Sequence, residues 1–197
     1  MMHPVLTLGP GERLAIWVCG CRRRCDKCAN PELWNFDPNK EIPLQILIDV
    51  VRDLCIAKNI TRITFSGGEP FEQSKELSQL IQSLPPQVDD ILVFSGYTIK
   101  QLRERNDPDT EQILKMISVL VDGEYIEDKN QGHPLRGSEN QRIWFLKNHI
   151  IEDYQTFIEQ NQASVQNFAT ENDIFSVGIH RKGFADTLKK QMEKKGL

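Results

Sequence analysis

Short apolar runs alternate with helical patterns along most of the chain. Residues 13–18, 60–65, 90–96 and 118–123 read as buried strands, each ending at residues that break a strand. Helical spacing of apolar residues follows in "PLQILIDVVRDLCIAKN", "SKELSQLIQSL", "YTIKQLRER" and "DTEQILKMI". The two patterns alternate about every 30 residues, which favours parallel βαβ units and an α/β fold.

The loops that follow the four strands are the expected place for a functional site. Ligands of parallel sheets collect at the carboxyl ends of the strands, so the cysteine-rich loop, "SGGEP", "SGYT" and "DGEY" should share one rim. Farther along, "HPLRGSENQRIWFL" combines turn residues with an apolar run. Residues 149–197 are predicted to form a helix or loop, then a strand at "IFSVGIH", then a basic helix.

Composition and charge limit the class of protein. With 197 residues, 39% hydrophobic and 26% charged, the chain is expected to form one globular domain. Its longest apolar run, "LAIWVCGC", is far shorter than the ~20 residues of a membrane helix, so no membrane association and a cytoplasmic location are expected. The net charge of -4 gives no electrostatic footprint for nucleic acid.

The last segment has the opposite charge. Residues 181–197 contain six Lys or Arg against two acidic residues, on a helix-like pattern. This segment is either a solvated terminal helix or a docking patch for an acidic partner.

Four of the five cysteines lie within residues 19–28, a clustering typical of a metal or redox site in a reducing compartment. Cys55, on the apolar face of a predicted helix, is expected to be a core residue. Cys21, Cys25 and Cys28 form C-x3-C-x2-C, one thiolate fewer than a closed four-cysteine cluster or a structural zinc requires. This spacing predicts a metal site with one open corner.

Two features of this loop leave alternatives open. Cys19 could point to the same side as Cys21 and act as the fourth ligand, although a packed thiol beside the site is the preferred interpretation. Arg22, Arg23, Arg24 and Lys27 could lower the pKa of the thiols, or they could be ordinary exposed loop charges.

The motif "SGGEP" ends the second predicted strand. Gly67 and Gly68 would let a bound molecule approach the backbone, and the Glu69 carboxylate could pair with an amine. Taken alone, the motif would read as a turn.

The cysteine motif followed by Gly-Gly-Glu-Pro on the next strand resembles the radical S-adenosylmethionine superfamily. "CANPELW", "FSGYT", "VLVDGEYIED" and "LRGSENQRI" are similar to the activating enzymes of glycyl radical enzymes, especially the anaerobic ribonucleoside-triphosphate reductase activating family. The resemblance covers residues 5–146 and implies a partial (β/α)6 barrel of the radical S-adenosylmethionine type. Residues 147–197 would be a short C-terminal extension of one domain.

The resemblance also implies a set of site residues. Cys21, Cys25 and Cys28 would ligate one 4Fe-4S cluster, and S-adenosyl-L-methionine would fill the open iron. Cofactor contacts are expected from Gly67, Gly68, Glu69, Pro70, Ser95, Asp122, Asn30, Asn140 and Arg142. Two positions depart from the family. Lys27 stands where an aromatic residue is common, and Cys19 stands where a polar amide is usual.

The implied activity is reductive cleavage of S-adenosylmethionine to a 5'-deoxyadenosyl radical. That radical would take hydrogen from a glycine of a glycyl radical partner, such as anaerobic ribonucleotide reductase, with flavodoxin or ferredoxin as electron donor. An open barrel side would suit a protein substrate. Two alternatives remain: a radical enzyme that modifies a peptide or a small molecule, of the 7-carboxy-7-deazaguanine synthase size class, and a non-catalytic iron-sulfur or zinc module.

Overall fold

A six-stranded sheet organises the protein in a computed structural model that describes residues 1–171 and 173–195. Its strands follow the chain order: β1 (Met2–Val5), β2 (Arg13–Val18), β3 (Arg62–Gly67), β4 (Asp90–Ser95), β5 (Val119–Asp122) and β6 (Arg142–Phe145). Strands β2 to β5 are parallel, whereas β1 and β6 pair antiparallel at the two edges. The prediction of an α/β fold with a parallel sheet is therefore confirmed.

Helices connect the parallel strands. They are α1 (Leu44–Ala57), α2 (Ser74–Gln82), α3 (Ile99–Glu104) and α4 (Pro108–Met116). Their apolar faces pack on the sheet in one large core, in which Cys55 is fully buried, as predicted for a packing residue. The alternation of strand and helix predicted from the sequence is thus confirmed from β2 to β5.

The C-terminal region adds α5 (Ile151–Gln160), a two-stranded antiparallel sheet of β7 (Val165–Ala169) and β8 (Ile174–Gly178), and α6 (Phe184–Lys195). Strand β8 and helix α6 were predicted. Strand β7 falls where a helix or loop was expected, and β1 was not predicted. Both strands are short and lie at sheet edges, where alternation is weak and Pro is tolerated, as Pro4 is in β1.

A buried ion pair lies at the amino-terminal ends of the strands, opposite the predicted site. Arg13, the first residue of β2, is fully buried and donates to Asp90 at the start of β4, with Nη1 and Oδ2 2.6 Å apart. Arg13 also donates to the Thr64 hydroxyl (2.6 Å), and the Tyr154 hydroxyl from α5 lies 3.1 Å from Asp90 Oδ1. These contacts fix α5 and three strands at the end of the sheet away from the cysteines.

Within the described residues, no helix has both the length and the apolar character that crossing a membrane requires. The side chains of Lys189 and Lys195, part of the predicted docking patch, lie outside what the structure describes.

Candidate functional site

A cavity of about 900 Å³ lies at the carboxyl ends of the four parallel strands. Each of the four predicted loops contributes to its wall, which confirms that they share one rim. The loop residues that line it include Cys21, Cys25 and Cys28 after β2, Gly67, Gly68 and Glu69 after β3, Ser95 and Gly96 after β4, and Gly123 and Tyr125 after β5.

The cysteine loop is held in a closed shape by its own backbone. The Gly20 and Cys21 N–H groups donate to the carbonyls of Leu33 and Trp34, both at 2.8 Å. Within the loop, the Asn30 N–H donates to Cys28 Sγ at 3.4 Å. Cys21 and Cys25 are buried and Cys28 is half-buried. Three soft thiol donors therefore face one cavity from a single braced loop.

Burial outweighs the neighbouring positive charges in setting the pKa of the two buried thiols. Burial raises the pKa of Cys21 and of Cys25, and this effect outweighs the nearby backbone N–H groups and, for Cys25, the Arg23 charge. Of the two interpretations of these loop charges, a lowered thiol pKa is therefore not supported at Cys21 and Cys25. Arg22 and Arg23 instead form ion pairs with Glu72 and Glu124.

The glycine motif is bound directly to the cysteine loop. The Gly68 N–H donates to the Val18 carbonyl at 2.7 Å, and the Glu69 N–H donates to the Gly20 carbonyl at 2.8 Å. A Cβ on Gly68 would lie 2.5 Å from that Gly20 oxygen, closer than side chains tolerate. Gly67 has φ +107°, a conformation that favours glycine. The glycines were expected to let a bound molecule approach the backbone closely. In the structure, the backbone of the cysteine loop makes part of that close approach.

Glu69 is a buried carboxylate, 1% exposed, on the cavity wall. It accepts hydrogen bonds from the Phe71 N–H (3.1 Å), the Ser95 hydroxyl (2.9 Å) and the Gly96 N–H (2.7 Å). Burial nevertheless raises its pKa to about 7. Ser95 therefore contacts Glu69, which places these two predicted residues together. Costly burial of an ionisable group on a cavity wall is typical of functional sites.

The remaining candidates divide into two groups. Asn30 lines the cavity beside the cysteines, whereas Asp122, Asn140, Arg142 and Pro70 are outside the residues that line it. Asp122 is buried and caps α3 by accepting from the Ile99 N–H. Asn140 donates to the Glu124 carbonyl at 2.7 Å, Arg142 is exposed on β6, and Pro70 is buried at the start of a 3₁₀ turn.

Cys19 is likewise outside the cavity lining. It is half-buried, and its carbonyl accepts a hydrogen bond from Gln73 Nε2 at 2.7 Å. In the described part of the chain, no three His, Cys, Asp or Glu side chains are close enough together to hold one metal ion. A 4Fe-4S cluster does not require three side chains to meet at one ion, because each cysteine ligates its own iron.

Two contributions to the site went unrecognised in the sequence. The first is Tyr97 of "SGYT", whose hydroxyl donates to Glu72. The guanidinium carbons of Arg23 and Arg105 lie 5.0 and 3.9 Å from the centroid of the Tyr97 ring. Tyr97, in the loop after β4, therefore contacts both the cysteine loop and the segment after β3. The second contribution is one wall of the cavity, formed by residues from Ile174 to Leu188. The sequence pattern predicts the strand and the helix of this segment, but it does not predict that they lie against the cavity.

Comparison with known proteins gives a consistent result. Residues 7–144 match the family model described as "4Fe-4S single cluster domain". The anaerobic ribonucleoside-triphosphate reductase-activating protein of Escherichia coli K12 is 30% identical over 156 residues, which cover 74% of this chain and 96% of the relative. The protein of that name from Enterobacteria phage T4 is 27% identical, covering 69% and 85%. The pyruvate formate-lyase-activating enzyme of Clostridium pasteurianum is 28% identical, covering 61% and 49%.

Proposed function

Because the chain belongs to the radical S-adenosylmethionine family of single-cluster activating proteins, we propose that it generates a glycyl radical on a partner enzyme. The partner favoured by the relatives' names is an anaerobic ribonucleotide reductase. The observation that carries the proposal is the direct bonding of the three-cysteine loop to the Gly-Gly-Glu loop on one cavity. The small-molecule and peptide alternative has no comparable support among the relatives.

The residues present fit one 4Fe-4S cluster and S-adenosylmethionine. Cys21, Cys25 and Cys28 supply three thiolates, which leaves one iron for the cofactor's amino acid end. Gly67 and Gly68 line the cavity beside the cysteine loop, and the Glu69 carboxylate would be the partner of the cofactor's amino group. Ser95 keeps Glu69 in place. Cys19 serves as a packed thiol beside the site. Asp122 caps α3 and Asn140 holds the Glu124 carbonyl, so these two residues would act on the site by positioning its loops.

When bound, these groups would supply one-electron cleavage of the S–C5' bond, which would yield methionine and a 5'-deoxyadenosyl radical able to take one hydrogen atom from the partner's glycine. The electron would come from a reduced flavodoxin or ferredoxin. The protein's part is to hold the cysteines, orient the cofactor and exclude water from the reacting atoms.

The fold that supports this chemistry is inferred to be a partial (β/α)6 barrel within one domain. The four parallel strands, with the cavity at their carboxyl ends, support that architecture. The family match over residues 7–144 supports a core close to residues 5–146, followed by an extension. A reducing cytoplasm suits the thiol-rich site.

The test uses protein reconstituted anaerobically with iron and sulfide. The expected results are about four irons per chain, reductive release of 5'-deoxyadenosine, and a glycyl radical signal in electron paramagnetic resonance once the reductase is added. Cys25→Ala should abolish all three. Cys55→Ala is the matched control and should cost only packing. Zinc in place of iron, or no 5'-deoxyadenosine, would contradict the proposal.

A further inference from the structure

Part of the cavity wall comes from a segment that the family match does not include. Residues 174–188, here called the C-terminal wall, comprise β8, the following loop and the start of α6. The family model ends at residue 144. The C-terminal wall lines the same cavity as Cys21, Cys25 and Cys28. The chain therefore adds its own surface to the entrance of the shared site.

The middle of the C-terminal wall, from Val177 to Gly183, is held against the rest of the protein. At β8, the Thr7 hydroxyl donates to the Val177 carbonyl at 2.8 Å, and the Val177 side chain is buried in a small apolar cluster with Val5, Leu8 and Ala15. In the following loop, Asn130 Nδ2 donates to the His180 carbonyl at 2.8 Å, and the Gly183 N–H donates to Glu127 Oε1 at 3.0 Å. The segment is thus a built part of the site.

Three large apolar side chains of this segment line the cavity and are also exposed to solvent. Ile174 is 73% exposed, Phe175 is 45% exposed and Leu188 is 39% exposed. A side chain that both lines a cavity and faces solvent lies at its rim. Clusters of exposed apolar side chains at a cavity rim are typical of binding surfaces.

We propose that Ile174, Phe175 and Leu188 form the docking surface for the glycine-bearing loop of the partner enzyme. The proposal rests on the proposed function and extends it by locating the contact. The glycine Cα must reach the cavity that holds the cysteines, so the chain on either side of it must cross the rim. Apolar rim side chains fit a loop with small or apolar residues next to its glycine.

The site's own cofactor does not account for these residues. A molecule held at the cysteines and Gly68 can stay within the cavity, whereas the largely exposed Ile174 side chain gains burial only from something that extends outside. A macromolecule does so and a small ligand does not.

The experiment compares two sets of apolar-to-serine changes in the full-length, cluster-loaded protein. The rim set is Ile174→Ser, Phe175→Ser and Leu188→Ser. The matched control set is Ile46→Ser, Val50→Ser and Ile56→Ser on α1, which are exposed to a similar degree and do not line the cavity. The measurements are the Kd for the anaerobic reductase, the Kd for S-adenosylmethionine and the yield of glycyl radical.

The rim set should weaken reductase binding by at least about tenfold, more than it weakens cofactor binding, and the control set should leave both unchanged. Equal reductase affinity in the rim set and the wild type would overturn the docking surface. Absence of a glycyl radical with the wild type would instead contradict the proposed function. If the triple variant loses its cluster, Leu188→Ser alone is expected to weaken reductase binding, and an unchanged Kd would overturn the inference.

Discussion

Asp90→Asn should strongly destabilise the protein because it leaves a buried cation without its counterion. The Asp90 side chain is 3% exposed and the Arg13 side chain is fully buried, with Nη1 and Oδ2 2.6 Å apart. Asparagine has nearly the same volume but no charge. Breaking a buried pair in this way typically costs 3–5 kcal/mol. Arg13 keeps its bonds to the Thr64 hydroxyl and the Ile63 carbonyl, so a loss of about 3 kcal/mol is expected.

The protein contains a matched control for this loss. Arg62 and Asp153 are also 2.6 Å apart, but the Asp153 side chain is 52% exposed. Solvent-exposed pairs of this kind contribute about 0–1 kcal/mol. Asp153→Asn should therefore change the free energy of unfolding by less than about 1 kcal/mol. The two variants test burial, because the distance between the charged atoms is the same.

The assay is urea-induced unfolding of the reduced, cluster-free protein at pH 7, analysed for the midpoint and the slope. Equal losses in Asp90→Asn and Asp153→Asn would refute the reasoning. A second arm replaces the pair by apolar residues, Arg13→Met with Asp90→Leu, and should recover much of the lost stability. Iron content of the folded Asp90→Asn protein should be normal, because the pair lies at the opposite end of the sheet from the cysteines.

Three further predictions concern the site itself. Cys19→Ser should keep both iron content and cofactor cleavage, and loss of the cluster would identify Cys19 as a ligand. Gly68→Ala should cost roughly 1–3 kcal/mol and lower the iron content, since its Cβ would meet the Gly20 carbonyl; normal iron content would contradict this. Burial raises the pKa of Glu69 from 4.5 to about 7, so between these two pH values the folded protein keeps a proton that the unfolded chain releases. The free energy of unfolding should therefore fall by about 3 kcal/mol as the pH rises from 4.5 to 7. Urea unfolding at several pH values should show that fall in the wild type and not in Glu69→Gln.

The parallel strands could be predicted because local sequence encodes them. Each one is a largely apolar run that ends at or just before a residue unfavourable in strands, namely Cys19, Gly67, Gly96 and Asp122. The carboxyl-end rule then places the four loops together without any structure. Burial of Arg13 could not be predicted in this way. An arginine at the start of a strand is normally exposed, and here it is buried because Asp90, 77 residues away, supplies its counterion.

The position of the C-terminal wall could not be predicted for the same reason. Local pattern revealed a strand and a helix, but their placement depends on contacts such as Thr7 with Val177, which are 170 residues apart. Side-chain roles depend on such contacts too. The family resemblance implies a cofactor contact at Asp122, the last residue of β5, and in the structure its carboxylate accepts from the Ile99 N–H and caps α3.

The bonding between the cysteine loop and the glycine loop explains why two motifs far apart in sequence act as one unit. Strands β2 and β3 are parallel neighbours, with Val18 level with Gly67 in the register, so the two loops begin side by side. Gly68 then donates to the carbonyl of Val18, the last residue of β2, and Glu69 donates to the Gly20 carbonyl in the cysteine loop. Any side chain at position 68 would push against Gly20. A change in the glycine motif therefore displaces the backbone that carries Cys21. Loss of the cluster in a glycine variant is consequently expected even if the glycine never contacts the cofactor.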